Sequence, residues 1–303
     1  MNMRATPAAL MSAIHPVSLR VDTYLINLDR APLRRFRMER LLVGIGLAFE
    51  RVAAVDGAGL SLPHPDFDEA AYLSRHGRRP NPFEIGCFLS HVECARRFLS
   101  GNAEFALILE DDLDFDEDLA DVIEAALQHQ TRWDILRLST VNTGRKHRVE
   151  PLTASRSLAI ALTREKGSGA YLINRRAAGW IAGSMLPMRL PYDLAFDLEF
   201  DEGLSACFVD PLPVSQRADA CSQIQAGLSA YRLGHRRPWS VLPYRAAAEI
   251  RRFAARFGRL VASRVSGQDR SPGMKGQDRS PGMKGQDRSP GSSGKPIETM
   301  RPG

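Results

Sequence analysis

No apolar run in this 303-residue chain is long enough to cross a bilayer. Stretches such as residues 106–109 and 158–162 fall far short of the about 20 residues that a spanning helix needs. Cysteine is scarce. Cys87, Cys94, Cys207 and Cys221 form no C-x-x-C pair and no metal-finger spacing, which excludes a disulfide scaffold and a redox motif and leaves reduced, buried thiols. A glycine-rich phosphate loop of the form G-x-x-x-x-G-K-[ST] is missing, which counts against a phosphotransferase of that type. Aromatic residues are 7% of the chain and none interleaves with basic residues as a base-stacking motif, so a net charge of +6 does not define a nucleic-acid-binding protein. At the start, the apolar patch at 8–14 is broken by His15-Pro16 and is too short for a secretion signal, so the expectation is a cytoplasmic protein.

What the chain does have is a core: 44% apolar and 25% charged residues suit one large α/β domain or two small ones. Its most informative segment is Phe105-Ala106-Leu107-Ile108-Leu109-Glu110-Asp111-Asp112, an apolar run that stops at three consecutive carboxylates. A buried strand ending in acids puts negative charge at the carboxyl edge of a sheet, where open α/β folds bind ligands. Carboxylates there attract a hard cation, Mg²⁺ or Mn²⁺, whose coordination is completed by substrate phosphates. The alternative is a solvated acidic loop.

Strands and helices alternate on either side. Residues 21–28 read as a strand, 33–43 as a helix, and 49–55 as a second strand closed by Asp56-Gly57. Residues 58–80, with three prolines, read as irregular. Asn81-Pro82-Phe83-Glu84 predicts a helix start, with Asn as cap, Pro in the first turn and Glu reaching back. On that helix Glu84, Cys87, His91, Cys94 and Phe98 share a face. Further helices are expected over 116–129 and 175–184, and strands over 133–139 and 168–174, while 141–166 reads as a long basic loop. This order predicts a largely parallel sheet covered by helices on both faces.

The division expected is an N-terminal extension (1–19), an α/β domain (20–232), a basic helix region (233–265) and a tail (266–303). Residues 244–265 combine six arginines with apolar residues at helical spacing, the pattern of a helix lying on anionic lipid or, equally, of a helix docking its apolar face on the domain. The tail repeats Gly-Gln-Asp-Arg-Ser-Pro-Gly-Met-Lys, which cannot bury a face and predicts no fixed structure.

Several segments together resemble glycosyltransferase family 25: Tyr24-Leu25-Ile26-Asn27-Leu28-Asp29-Arg30 with Arg34-Arg35 beyond; Ala53-Ala54-Val55-Asp56-Gly57; Glu84-Ile85-Gly86-Cys87-Phe88-Leu89-Ser90-His91; and Leu109-Glu110-Asp111-Asp112. Gly169-Ala170-Tyr171-Leu172-Ile173 and Pro191-Tyr192-Asp193 also fit. The resemblance implies a GT-A fold, a nucleotide-sugar donor such as a UDP-hexose, a divalent metal (Mn²⁺ or Mg²⁺), and transfer of a hexose, galactose in the typical case, with inversion to a saccharide or lipooligosaccharide acceptor. It carries Asp112, with Glu110, to the metal, and Asn27, Arg30, Glu84, Ser90, His91, Glu110 and Asp111 to the donor. Arg30 has a surface salt bridge as its alternative. Asp193 is the first choice for the general base and Asp197 the second, either being equally suited to capping a helix. The competing readings are a metal-dependent nucleotidyl- or phosphotransferase, a non-catalytic nucleotide-sugar binder and a nucleic-acid-binding protein. Peripheral membrane contact through 244–265 would bring the protein to a lipid-linked acceptor.

Overall fold

A computed structural model describes residues 20–142, 144–217, 230–233 and 238–268. The expected N-terminal extension, Cys221 and nearly all of the repeat tail lie outside the described residues. The strands are β1 (Val21–Asn27), β2 (Glu50–Ala53), β3 (Phe105–Glu110), β4 (Leu113–Phe115), β5 (Ile135–Arg137), β6 (Lys146–Pro151), β7 (Ser157–Ala161), β8 (Ala170–Asn174), β9 (Ala206–Asp210) and β10 (Val214–Gln216). The helices are α1 (Pro32–Gly44), α2 (Glu69–His76), α3 (Pro82–Ser100), α4 (Leu119–Gln128), α5 (Arg175–Ala182), α6 (Tyr192–Phe196) and α7 (Val241–Gln268).

Eight strands form one sheet in the order β2-β1-β3-β8-β5-β9-β7-β6, and β4 pairs with β10 in a small ribbon beside it. The α/β class is as expected, and six of the eight strands run one way. The reversal of β7 and β8 makes the sheet mixed, because β8 lies antiparallel between β3 and β5 and β7 lies antiparallel between β9 and β6. Strand alternation divides the apolar residues between two cores. Phe105, Leu107 and Leu109 join Met38 and Leu42 of α1 and Val122, Ile123 and Ala126 of α4 on one face. Ala106 and Ile108 join Phe88, Val92 and Phe98 of α3 and Ala177, Ala178 and Ile181 of α5 on the other.

Local chemistry fixes the helix that matters most. Asn81 Oδ1 accepts the Phe83 N–H at 3.1 Å, Pro82 occupies the first turn, and Gly101 closes α3. The expected reach of Glu84 back to the cap is not made; its carboxylate instead accepts the Tyr72 hydroxyl of α2. That helix lies in the segment read as irregular. Its signals are in the sequence, with Asp68 Oδ1 accepting the Ala71 N–H at 2.9 Å and Gly77 closing the helix at φ +73°, but the flanking prolines obscured them.

The basic stretch at 141–166 is also not a loop. It forms the β6–β7 hairpin at the sheet edge, and its charges are matched: Arg148 pairs with Asp210 at 2.6 Å, and Arg156 pairs with Asp116 at 2.6 Å and Asp118 at 2.8 Å.

Helix α7 docks on the domain by its basic side, where the sequence offered an apolar face as the docking alternative. It docks through its arginines. Arg256 Nη2 lies 2.8 Å from Asp197 Oδ1 and 2.9 Å from Glu199 Oε2, and Arg252 Nε lies 2.8 Å from Asp197 Oδ2. Arg137 of β5 approaches Asp197 at 3.1 Å. Asp197, Glu199, Arg137, Arg252 and Arg256 are all buried. The guanidinium planes supply matched donors to carboxylates that could not otherwise be buried as ions. Among the described residues no helix is long and apolar enough to cross a membrane.

Candidate functional site

β1 and β3 are parallel neighbours, in register from Val21 opposite Phe105 to Ile26 opposite Glu110, so their carboxyl ends open at one edge of the sheet. A cleft of about 640 Å³ lies there, lined by Asn27, Arg30, Arg34, Ser90, His91, Glu110, Asp111 and Asp112 among others. A second cleft of about 400 Å³ adjoins it, lined by residues including Arg78, Glu84, Lys166, Tyr192 and Asp193. Cys87, Glu110 and Gln216 line both. The two clefts share a wall there.

In the first cleft the acids divide their tasks. Asp111 accepts the Asn27 side-chain N–H at 2.6 Å and pairs with Arg34 of α1. Asn27 also donates to the Ala31 carbonyl at 3.1 Å, so it ties the end of β1 to the start of α1. Asp112 accepts the Gln216 amide at 2.9 Å through Oδ2, and Arg34 stands 3.4 Å from the same oxygen. Its Oδ1 is buried without a hydrogen-bond partner among the described residues. Burial, and after it the charge of Glu110, pushes the Asp112 carboxyl up to about 6. A buried carboxylate oxygen without a donor, beside a second acid that repels it, suits a divalent cation, so the donor set of Asp112 and Glu110 fits the metal that the family pattern implies. Asp114 and Asp116, which extend the acid run, are committed to Arg37 and Arg156 and do not compete.

His91 is buried and stacked on Tyr192, with ring centroids 4.0 Å apart and planes 6° from parallel. Its Nδ1 lies 2.9 Å from the Tyr171 hydroxyl, which is 2.8 Å from the Tyr192 hydroxyl, and its Nε2 lies 3.3 Å from Glu110 Oε1. The imidazole therefore orients Glu110 at the junction of the clefts. Cys87, His91 and Glu110 bring three potential ligand atoms within 4.8 Å of one another. Burial drives the Cys87 thiol well above its usual range, which keeps it protonated.

Other predicted residues take different positions. Ser90 Oγ donates to the Gly86 carbonyl at 2.7 Å and accepts the Val55 N–H at 2.9 Å, so it holds the loop after β2 against α3. Arg30 forms the salt bridge that was its alternative, a bidentate pair with Asp56 at 2.7 and 2.9 Å on the rim. Glu84 does not line the larger cleft; it lines the second with Asp193. Burial raises its pKa against the opposing Tyr72 hydrogen bond. Asp193 opens the short helix α6 and receives the backbone N–H groups of Gly167 and Leu194. Burial raises its pKa first, with Arg137 the largest opposing influence. Asp197, the second choice for the base, is wholly buried among three arginines and lines neither cleft.

Arg34, Gln216 and Tyr192 were not assigned roles from sequence. Arg34 and Tyr192 lie within motifs already singled out. Gln216 carries no local signal, since it reaches Asp112 only through the pairing of β10 with β4.

The arrangement is that of an α/β domain whose ligand groove lies across the carboxyl edge of its sheet. The profile described as "Glycosyltransferase family 25 (LPS biosynthesis protein)" matches residues 21–196, more than half of the chain, and the protein belongs to that family. A Drosophila pseudoobscura pseudoobscura "Glycosyltransferase 25 family member" is 35% identical over 136 residues, 38% of this chain and 22% of its own length. "Procollagen galactosyltransferase 1" of Danio rerio is 30% identical over 124 residues, 38% of this chain and 20% of its own. "Procollagen galactosyltransferase 1-B" of Xenopus laevis is 29% identical over 185 residues, 55% of this chain and 30% of its own. The chain thus spans under a third of the length of these relatives.

Proposed function

We propose that the protein is an inverting glycosyltransferase that moves a hexose, galactose by its likeness to the procollagen galactosyltransferases, from a nucleotide diphosphate donor to a saccharide or glycolipid hydroxyl. One observation carries the reading: two clefts meet at Glu110, with Asn27, Asp111 and Asp112 lining one and Asp193 lining the other. Single displacement needs that separation, because the leaving diphosphate and the attacking hydroxyl lie on opposite sides of the anomeric carbon.

The donor diphosphate occupies the larger cleft. A divalent cation held by Asp112 and Glu110 would supply the positive charge that stabilises the leaving phosphates. Asn27 and Arg34 hold Asp111 still, and Gln216 holds Asp112, so the acids are oriented before substrate arrives. In the smaller cleft Asp193 takes the proton of the acceptor hydroxyl. The hydroxyl oxygen then bonds to the anomeric carbon as the bond to the diphosphate oxygen breaks, its electron pair leaving with the nucleotide. The raised pKa of Asp193 makes it a stronger base than an exposed aspartate. Arg78 and Lys166 line the same cleft and give it a cationic rim.

The test is a donor screen. UDP-, GDP- and CMP-sugars are offered with and without Mn²⁺, and donor turnover is measured for the parent, Asp112→Asn and Asp193→Asn. The expected result is metal-dependent turnover of one UDP-hexose, loss of metal response in Asp112→Asn, and a fall of roughly 10²–10⁴ in kcat for Asp193→Asn with donor binding kept. Metal-dependent attack on the donor's phosphorus, with sugar phosphate as product, would replace this reading with nucleotidyl transfer.

A further inference from the structure

Helix α7 is amphipathic with the opposite orientation from the one its arginines suggest. Its inward stripe carries Val241, Ala248, Arg252, Arg256 and Leu260, all buried. Its outward stripe carries Leu242, Ile250, Phe253, Phe257, Val261 and Val265, of which Ile250 is 70% and Phe253 51% exposed. Exposed alanines and a glycine fill the gaps between them, so the stripe is continuous along the helix. A monomeric soluble domain does not ordinarily leave such a surface in water.

We propose that this face is a membrane-docking surface, and that α7 lies in the plane of an anionic bilayer with its apolar stripe among the acyl chains. Two observations choose lipid over a second copy of the chain. Arg264, exposed on the helix, is positive, and the other exposed charge, Arg251, is paired with Asp201 of the domain, while Glu249 is half-buried and paired with Arg252 at 2.7 Å. A second copy packed on this face would bring like charges together, whereas anionic headgroups complement them. Trp239 is 96% exposed at the amino-terminal end of the helix, where an amphipathic ring suits the water–lipid boundary.

The domain itself prepares the helix for this role. Arg245 donates to the His76 carbonyl at 2.9 Å, Arg251 pairs with Asp201 at 3.0 Å, and Arg259 donates to the Ala206 carbonyl at 2.9 Å. With its polar side fixed to protein, α7 is folded before it meets lipid, and the ordering cost that a free amphipathic segment incurs is avoided. At 28 residues it is about 42 Å long, enough to lie along the surface. Attraction then comes chiefly from apolar burial, with a smaller electrostatic part from the flanking arginines.

The test uses the full chain and sedimentation with vesicles of phosphatidylglycerol and phosphatidylethanolamine, with phosphatidylcholine vesicles as the neutral comparison. The protein is expected to sediment with the anionic vesicles and to stay bound in large part at high salt, since apolar contact is not screened. The double variant Phe253→Ser/Phe257→Ser should lower the bound-to-free ratio by at least about tenfold while its thermal melt matches the parent. Arg264→Glu should weaken binding to anionic vesicles at low salt only. A parent that stays in the supernatant, a double variant that melts like the parent and sediments like it, or a solution dimer that the double variant splits with no change at the vesicle would each overturn the proposal. None of these readouts needs donor, cation or turnover, so failure here is separable from failure of the proposed transfer reaction.

Discussion

Asp193 and Asp197 stand four residues apart, at either end of one short helix, and Asp197→Asn separates their roles most sharply. Asparagine keeps the shape of the side chain but removes the charge that three buried arginines face, and turns an amide N–H₂ toward their donors. Arg256 retains Glu199 and Arg252 retains Glu249, whereas Arg137 loses its carboxylate partner at 3.1 Å. Breaking a buried pair from one side costs about 3–5 kcal/mol. For a domain of this size that corresponds to a fall in Tm of about 6–20 °C. The assay is a melt followed by circular dichroism, with turnover measured well below the variant's midpoint. Asp197→Asn should melt early yet turn over at near-parental rate where it is folded. Asp193→Asn should melt no earlier than the parent, because burial has raised this group's pKa and ionisation at neutral pH therefore disfavours the folded state. An Asp197→Asn variant with parental Tm and abolished turnover would refute the reasoning outright.

Further expectations concern the cation, the acceptor end and the packing beneath the groove. The folded-state pKa of Asp112 is raised, so without a cation its contribution to stability is greatest below the ordinary carboxylate range and is lost as pH rises from about 4 to about 6. The Tm gain on adding Mn²⁺ should therefore be larger above that window than below it, and Asp112→Asn should abolish the difference in a thermal-shift series. Glu84→Gln should raise the KM for acceptor while leaving donor affinity unchanged by calorimetry; a weakened donor would return Glu84 to the other cleft. Gly86→Ala would place a Cβ 2.5 Å from the Val55 carbonyl oxygen and should cost about 1–3 kcal/mol in a denaturant titration.

The strands and helices that frame the groove were legible because they are strongly patterned. β3 alternates between two cores, α3 carries its own cap and stop, and the acids end where the sheet ends. The motif glycines were legible only as letters. Gly57 and Gly86 allow the loop after β2 to meet the start of α3 backbone to backbone, a Cβ on Gly57 falling 2.5 Å from the Pro82 carbonyl oxygen. Charge misled more than hydrophobicity did. The arginines at 145–156 and 245–259 read as free surface because a sequence shows cations without their counter-ions, and the partners of Arg148, Arg156, Arg251 and Arg256 lie 38 to 62 residues away. Glu84 and His91 share a helix face, but α3 is long enough for that face to pass from one cleft to the other. The reach of Gln216 to Asp112 depends on a ribbon that no local pattern announces.

The arginine lock beneath α7 has a consequence for how the polypeptide is made. Asp197 and Glu199 leave the ribosome well before Arg252 and Arg256, so for the time it takes to add more than fifty residues the nascent domain holds Glu199 without the cation it will be sealed with and Asp197 with Arg137 alone. The burial of these acids is therefore completed only when α7 arrives, and a message truncated within that stretch should yield a product that proteases remove.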